Sequence, residues 1–234
     1  MKYTRIAFIA ALLFTSQVCL ADNYPRNYAI DIQHYSFALT LSDYSDEIIG
    51  ETTIQVLFKT GDSKRLRLDF INRTPQRDGK GMIVEGVFFE NKPITFEHQK
   101  DILYIDLPKK FEQNSIASFI IKYRGIPADG LRIGPNKYGE RCFFNENWPN
   151  RGRHWLPIVD HPNDKATSEF IVTAPAHYKV VSNGLLLEES DLGNNTKLTH
   201  WKQSVPVSSW LFVLGVADFA VQYVDDFEGK SIQT

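Results

Sequence analysis

Apolar and polar residues alternate with a period of two along most of the chain. In HYSFALTL, Tyr35, Phe37, Leu39 and Leu41 share one face, and His34, Ser36, Ala38 and Thr40 share the other. TIQVLF aligns Ile54, Val56 and Phe58, and RLRLDF sets Leu66, Leu68 and Phe70 against Arg65, Arg67 and Asp69. The run PITFEHQKDILYIDLP predicts a hairpin turning near Gln99, Lys100 and Asp101, with Leu103, Ile105 and Leu107 on one face of its return arm. ASFIIKY, SEFIVTA, YKVVSNG and TKLTHWKQ continue the series, and Ser182-Asn183-Gly184 and Gly193-Asn194-Asn195 supply turns between strands.

After residue 21 no segment repeats apolar residues at helical spacing over three turns. Residues 210–223 are long enough for a helix, but Gly215 and the β-branched Val213, Val216 and Val221 predict a bulged strand. Gly and Pro cluster in KYRGIPADGLRIGPNKYGE, which reads as a long loop inside one domain. The expected fold is all-β, mainly antiparallel and built from two or more packed sheets, a β-sandwich-like domain over residues 22–234. The last residues, DDFEGKSIQT, read as a turn and the start of a strand, the pattern of a cut inside a longer protein.

The first 21 residues follow a different rule. Lys2 and Arg5 precede the short apolar run IAFIAALLF, and small Cys19 and Ala21 stand where a signal peptidase inspects the chain. Cleavage is expected after Ala21. The apolar run is about half the roughly 20 residues that span a bilayer. Acylation of Cys19 as a lipoprotein is the rival reading, disfavoured because bulky Val18 stands where a lipobox has a small residue. No later segment approaches membrane-spanning length, so an exported chain, periplasmic or extracellular, is expected. Cleavage leaves Cys142 as the one cysteine, read as a small buried hydrophobe in preference to half of a bridge to another chain or to sequence absent from this one.

A hydrophobic content of 43% is ample for one sizeable core. Its 26 basic and 28 acidic residues nearly balance and form no basic stripe, which argues against a nucleic-acid partner. Candidate chemistry concentrates in RGRHWLPIVDHPNDKATSEF, residues 151–170. His154, Asp160 and His161 offer imidazole and carboxylate groups, but their spacing matches no compact metal motif. No metal is expected on this chain. HExxH and GxSxG are both absent, and ADGLRIGPNKYG lacks the strand–glycine–helix context of a nucleotide loop.

The segment Arg153-His154-Trp155-Leu156-Pro157-Ile158-Val159-Asp160-His161-Pro162, followed by Lys165-Ala166-Thr167 and FIVTAP, resembles a box of the M1 family of zinc aminopeptidases, that of aminopeptidase N and leukotriene A4 hydrolase. Ordered further matches are Val181-Ser182-Asn183-Gly184, the stretch from His200-Trp201 to Pro206-Val207-Ser208-Ser209-Trp210-Leu211, and the opening pair HYSFALTLS and IIGETTIQV. The likeness spans roughly residues 30–220 and implies the family's N-terminal, saddle-shaped β domain. It further implies that the zinc-binding HExxH and the exopeptidase GxMEN motif belong to a catalytic domain absent from this chain, so that zinc is a cofactor of the full enzyme only.

In that family a Gln or Glu just upstream of the box arginine helps hold the substrate's α-amino group. The corresponding stretch is Asn145-Glu146-Asn147-Trp148-Pro149; ungapped counting lands on Trp148, two residues past Glu146. Glu146 is the first candidate, because a carboxylate attracts an ammonium by charge-assisted hydrogen bonding. Asn145 and Asn147 are weaker candidates, and Trp148 offers a cation–π face. Arg153, Pro157, Asp160, Pro162 and Lys165 are expected to be structural: prolines restrict the backbone, Asp160 accepts bonds from following amides, and Arg153 clamps carbonyls or a carboxylate. The expected function is to anchor a peptide's amino end for a metallo-aminopeptidase, without activity of its own. The alternatives are a free-standing glycan- or protein-binding β module and, less favoured, a metallohydrolase built on His154, Asp160 and His161.

Overall fold

The computed structural model describes residues 22–233; the expected leader lies outside them. Strands β1 (Ile30–Thr40), β2 (Ile48–Phe58) and β3 (Arg65–Asp69) are followed by β4 (Gly81–Phe89), β5 (Lys92–Pro93), β6 (Phe96–Gln99), β7 (Ile102–Asp106) and β8 (Ser115–Ile126). The second half supplies β9 (Leu131–Pro135), β10 (Arg141–Asn145), β11 (Lys165–Pro175), β12 (Lys179–Ser182), β13 (Leu185–Gly193) and β14 (Thr196–Ser208). Short β15 (Leu214–Ala217), β16 (Tyr223–Phe227) and β17 (Lys230–Gln233) close the described chain. Among the described residues the only helical elements are short 3₁₀ turns. The fold is all-β, as the alternation predicts.

Eight strands form one large sheet in the order β13-β14-β11-β1-β2-β8-β4-β5. A four-stranded sheet, β12-β15-β10-β9, and a three-stranded sheet, β3-β7-β6, accompany it, with β16-β17 as a separate hairpin. Pairing is antiparallel except where β1 runs parallel to β11, from His34 opposite Thr167 to Thr40 opposite Thr173. Parallel neighbours need a long connection. Here it is residues 41–164, which contain the whole three-stranded sheet and half of the four-stranded one.

Period two explains the packing. Tyr35, Phe37, Leu39 and Leu41 are buried, whereas His34, Ser36 and Ala38 are half-buried and Thr40 is exposed. Ile54, Val56, Phe58, Leu66, Leu68, Phe70, Leu103 and Ile105 all face the same core. Aromatic contacts join the sheets: Phe70 meets Tyr123 of β8 edge-on at 5.0 Å, and Phe212 meets Phe37 of β1 at 5.8 Å. Trp155 is completely buried, stacked 6.0 Å from Phe170 of β11. Truncating such a side chain to alanine costs about 3–5 kcal/mol, so Trp155 is a principal fastener of the 151–162 loop to the large sheet.

Some local expectations change. Residues 210–223 are not one bulged strand: a 3₁₀ turn (Ser209–Leu211) precedes short β15, and strand pairing resumes only at Tyr223. The reason is that the carbonyls of Ser209 and Phe212 turn inward to side-chain amides instead of joining a ladder. The Gly/Pro-rich stretch is not a plain loop either, since it contains β9, paired along its length with β10. Cys142 is half-buried. Asp69, assigned by alternation to the polar face of β3, is fully buried.

Candidate functional site

The candidate residues lie where β10 leaves the four-stranded sheet and becomes the 151–162 loop. Alternation continues beyond the end of β10. Phe144, Glu146 and Trp148 point outward and are exposed; Phe143, Asn145 and Asn147 point inward and are buried. The Glu146 amide donates to the carbonyl of Gly130 at 2.8 Å, which extends the β9–β10 pairing by one bond. Gly130 makes this approach possible: its φ is +76°, and a Cβ there would lie 2.2 Å from the carbonyl oxygen of Arg151.

Asn145 and Asn147 use their amides as struts. Asn145 Nδ2 donates to the Phe212 carbonyl at 2.7 Å, and its Oδ1 accepts from the Leu214 amide at 2.5 Å. Asn147 Nδ2 donates to the carbonyls of Ser209 and Phe212 at 3.2 and 3.1 Å, and its Oδ1 accepts from the Trp155 indole at 3.0 Å. Both side chains are thus engaged with residues 209–214 or Trp155. The inward-pointing members of the alternation thereby hold the segment to the scaffold. The Trp148–Pro149 peptide bond is cis.

The box residues explain how the next loop is held. Arg153 donates from Nε to Asp160 Oδ2 at 3.0 Å and from Nη2 to the Asp160 carbonyl at 3.1 Å, gripping carboxylate and carbonyl together. Asp160 accepts not from following amides, as expected, but from the preceding Arg153 amide at 3.2 Å and from Ser209 Oγ at 2.9 Å. The loop folds back on itself, so its earlier end presents the donors. Burial pushes the Asp160 carboxyl above its ordinary value, against the lowering pull of Arg153 and the hydrogen bonds. Pro157 is buried, Pro162 accepts through its carbonyl from Ser208 Oγ at 3.2 Å, and Lys165 opens β11 at the surface.

Asp69 ties this loop to β3. Its carboxylate accepts from the Asp160 amide at 3.0 Å, forms an ion pair with Arg67 at 2.8 Å, and accepts from the phenol of Tyr24. Its backbone exchanges bonds with Ile158. Sequence reasoning missed Asp69 and Tyr24. The only available signal was an aspartate beside the large apolar residues of RLRLDF, and alternation gave it to solvent.

Glu146 is accessible but not alone. Its Oε2 accepts from Arg151 Nη1 at 3.0 Å and lies 3.8 Å from Arg132 Nη2, while Arg151 also pairs with Asp129 at 3.4 Å. Neither arginine beside the glutamate is signalled by the hydrophobic pattern. Arg132 stands opposite Phe144 in the β9–β10 register and hence on the same outward face. Exposed Phe144 and Trp148 flank Glu146 along the chain on this outward face, and exposed Val181 stands in the same sheet row as Phe144, across β15.

The histidines and acids of the box do not converge. Asp160 is filled by Arg153 and Ser209, and His161 stacks on Tyr24 with ring centroids 4.5 Å apart, its Nε2 3.5 Å from Asp22. Burial lowers the pKa of His154. Among the described residues no three His, Cys, Asp or Glu side chains are gathered to hold a metal ion. The donor chemistry of the described residues therefore does not fit a zinc site. Among the described residues no helix is long and apolar enough to cross a membrane.

Comparison with known proteins gives a family match for the chain. The profile of the peptidase M1 N-terminal domain matches residues 31–211. Aminopeptidase A of Gloydius brevicauda is 25% identical over 199 residues, covering 80% of this chain and 20% of that protein. Glutamyl aminopeptidase of Rattus norvegicus is 34% identical over 71 residues, 30% of this chain and 8% of its own length. In fold the chain is similar to an M1 zinc metallopeptidase from Deinococcus radiodurans, with TM-score 0.72 and 24% identity over 88% of this chain and 46% of that one. A two-domain M1 zinc metallopeptidase bound to L-arginine gives TM-score 0.74 at 21% identity, again over 88% of this chain and 47% of the other. The chain thus spans a fifth or less of these two curated relatives and just under half of each of these solved structures.

Proposed function

The chain belongs to the peptidase M1 N-terminal domain family, and from that premise we propose that it forms the amino-end-anchoring wall of an exported M1-type zinc aminopeptidase. The observation that carries this reading is the alternation across residues 144–148. It sends Glu146 and Trp148 to an open face while Asn145 and Asn147 fasten the same segment to residues 209–214. In this role Glu146 accepts hydrogen bonds from the α-ammonium of a peptide, and Trp148 supplies a π face beside it. The Arg153–Asp160–Asp69 network keeps the loop behind them from moving, which is what an anchoring group requires.

Bond cleavage in this reading belongs to another part of the enzyme, where a zinc ion would activate water. No step of that chemistry is assigned to the described residues, which lack both a donor set and the HExxH and GxMEN motifs. The exposure of Phe144, Val181, Leu211 and Val213 is consistent with a face that a catalytic domain covers. Export rests on the charged and apolar pattern of residues 1–21. The family match favours this reading over a free-standing glycan- or protein-binding module.

The test is to read the coding sequence beyond the codon for Thr234. An in-frame continuation encoding HExxH and GxMEN is the expected result. A stop codon there, with neither motif encoded alongside, would contradict the proposal.

A further inference from the structure

The charged cluster around Glu146 has an electrostatic asymmetry that bears on which peptide end it accepts. Arg151 has two carboxylates, Glu146 at 3.0 Å and Asp129 at 3.4 Å. Arg132 is different: among the described residues its one carboxylate neighbour within 4 Å is Glu146, at 3.8 Å. Its side chain is 70% exposed, and it projects from a paired strand instead of a loose loop.

An α-ammonium that takes Glu146 therefore leaves Arg151 its bond to Asp129 but leaves Arg132 without a counter-charge. The arriving cation also sits beside a guanidinium, an unfavourable like-charge juxtaposition. A ligand that brings its own carboxylate removes both penalties. Its ammonium replaces Arg132 at Glu146, and its carboxylate replaces Glu146 at Arg132. An arginine fork is well matched to such a carboxylate, and Arg132 has the exposure to turn towards it.

Resting on the amino-end-anchoring reading, we propose that Arg132 is a specificity-determining residue, selecting peptides whose first residue carries an acidic side chain. Apolar first residues still reach Glu146, but with an unpaired guanidinium beside them. Basic first residues are the least favoured, because they add a second cation to the cluster.

The experiment compares two ligands of nearly identical shape, L-glutamic acid α-amide and L-glutamine α-amide, titrated into the full chain and followed by NMR at the amides of residues 132 and 146 and the indole of Trp148. In both the α-carboxyl group is capped, so the side-chain charge is the sole variable. The glutamic acid amide is expected to bind about three-fold more tightly, the scale of an exposed ion pair. Arg132→Gln is expected to abolish that advantage, by weakening the glutamic acid amide while the glutamine amide binds as tightly or more tightly with the neighbouring guanidinium gone. Equal binding of the two ligands by the unsubstituted chain overturns the role of Arg132 and leaves the anchoring reading standing. Binding of neither overturns both. An acidic preference that persists in Arg132→Gln assigns it elsewhere and also overturns the proposal.

Discussion

The phenol of Tyr24 donates its hydrogen to the fully buried carboxylate of Asp69, 45 positions further along the chain. Burial and the negative charge of Asp69 raise the Tyr24 pKa well above its ordinary value, so the phenol stays a donor. The contact pins the segment before β1 across the 151–162 loop, with the Tyr24 ring between Arg67 and His161. Tyr24→Phe keeps the ring and deletes one of the donors to a buried carboxylate, and is expected to lower stability by about 1–3 kcal/mol. Denaturant unfolding measures that loss. Hydrogen exchange should show faster opening of residues 22–29, whereas unchanged exchange there would mean that the strap is held by something else.

Glu146 and Asn147 are neighbours with opposite duties, and substitution should separate them. Asn147→Ala strands the Trp155 indole in the interior and takes one of two donors from each of the Ser209 and Phe212 carbonyls, so a loss of about 1–3 kcal/mol is expected. Glu146→Gln alters one exposed ion-pair cluster and should change stability by less than about 0.5 kcal/mol. Thermal unfolding of the two variants side by side checks this. Comparable losses would remove the distinction between scaffold and open site.

Period-two alternation made the sheets legible because the long central strands each have one buried face; Tyr35, Phe37 and Leu39 sit where the pattern assigns them. The same rule, carried past the end of β10, separates Glu146 and Trp148 from Asn145 and Asn147. What stayed hidden depends on distant residues. Asp69 is buried because Arg153, Arg67 and Tyr24 meet there, and none of these is a local neighbour on its strand face except Arg67. Residues 210–223 misled for a related reason: their β-branched composition suits a strand, but Asn145 and Asn147 claim the carbonyls that a longer strand would use. The arginines beside Glu146 were equally out of reach, since Arg132 is brought there only by the β9–β10 register.

Asp164 gives a pH signature. Burial, reinforced by the nearby Asp31 charge, pushes its carboxyl from the ordinary 3.8 up to about 7. A carboxyl whose folded pKa is raised holds more protons in the folded state, so its contribution to stability is greatest below about pH 4 and is lost as pH rises to about 7. The loss amounts to at most about 4 kcal/mol. Asp164→Asn, which stays neutral, should match the unsubstituted chain at pH 4 and exceed its stability at pH 8. Parallel stability–pH curves for the two proteins would contradict this.

The described residues gather no zinc donor set, and the sequence lacks HExxH. Purified full chain with added zinc is accordingly expected to release no product from aminoacyl anilides beyond a zinc-only blank. Turnover that co-purifies with the chain would mean that a catalytic centre exists within it.

The central claim is that the face bearing Glu146 and Trp148 holds a free amino end. Its most direct test is an NMR titration of the full chain with L-leucinamide against N-acetyl-L-leucinamide, which lacks the ammonium. Saturable shifts are expected at the Glu146 amide and the Trp148 indole with the free amine only, and lost in Glu146→Ala. Equal shifts from the acetylated ligand, or no saturable response at either position, would contradict it.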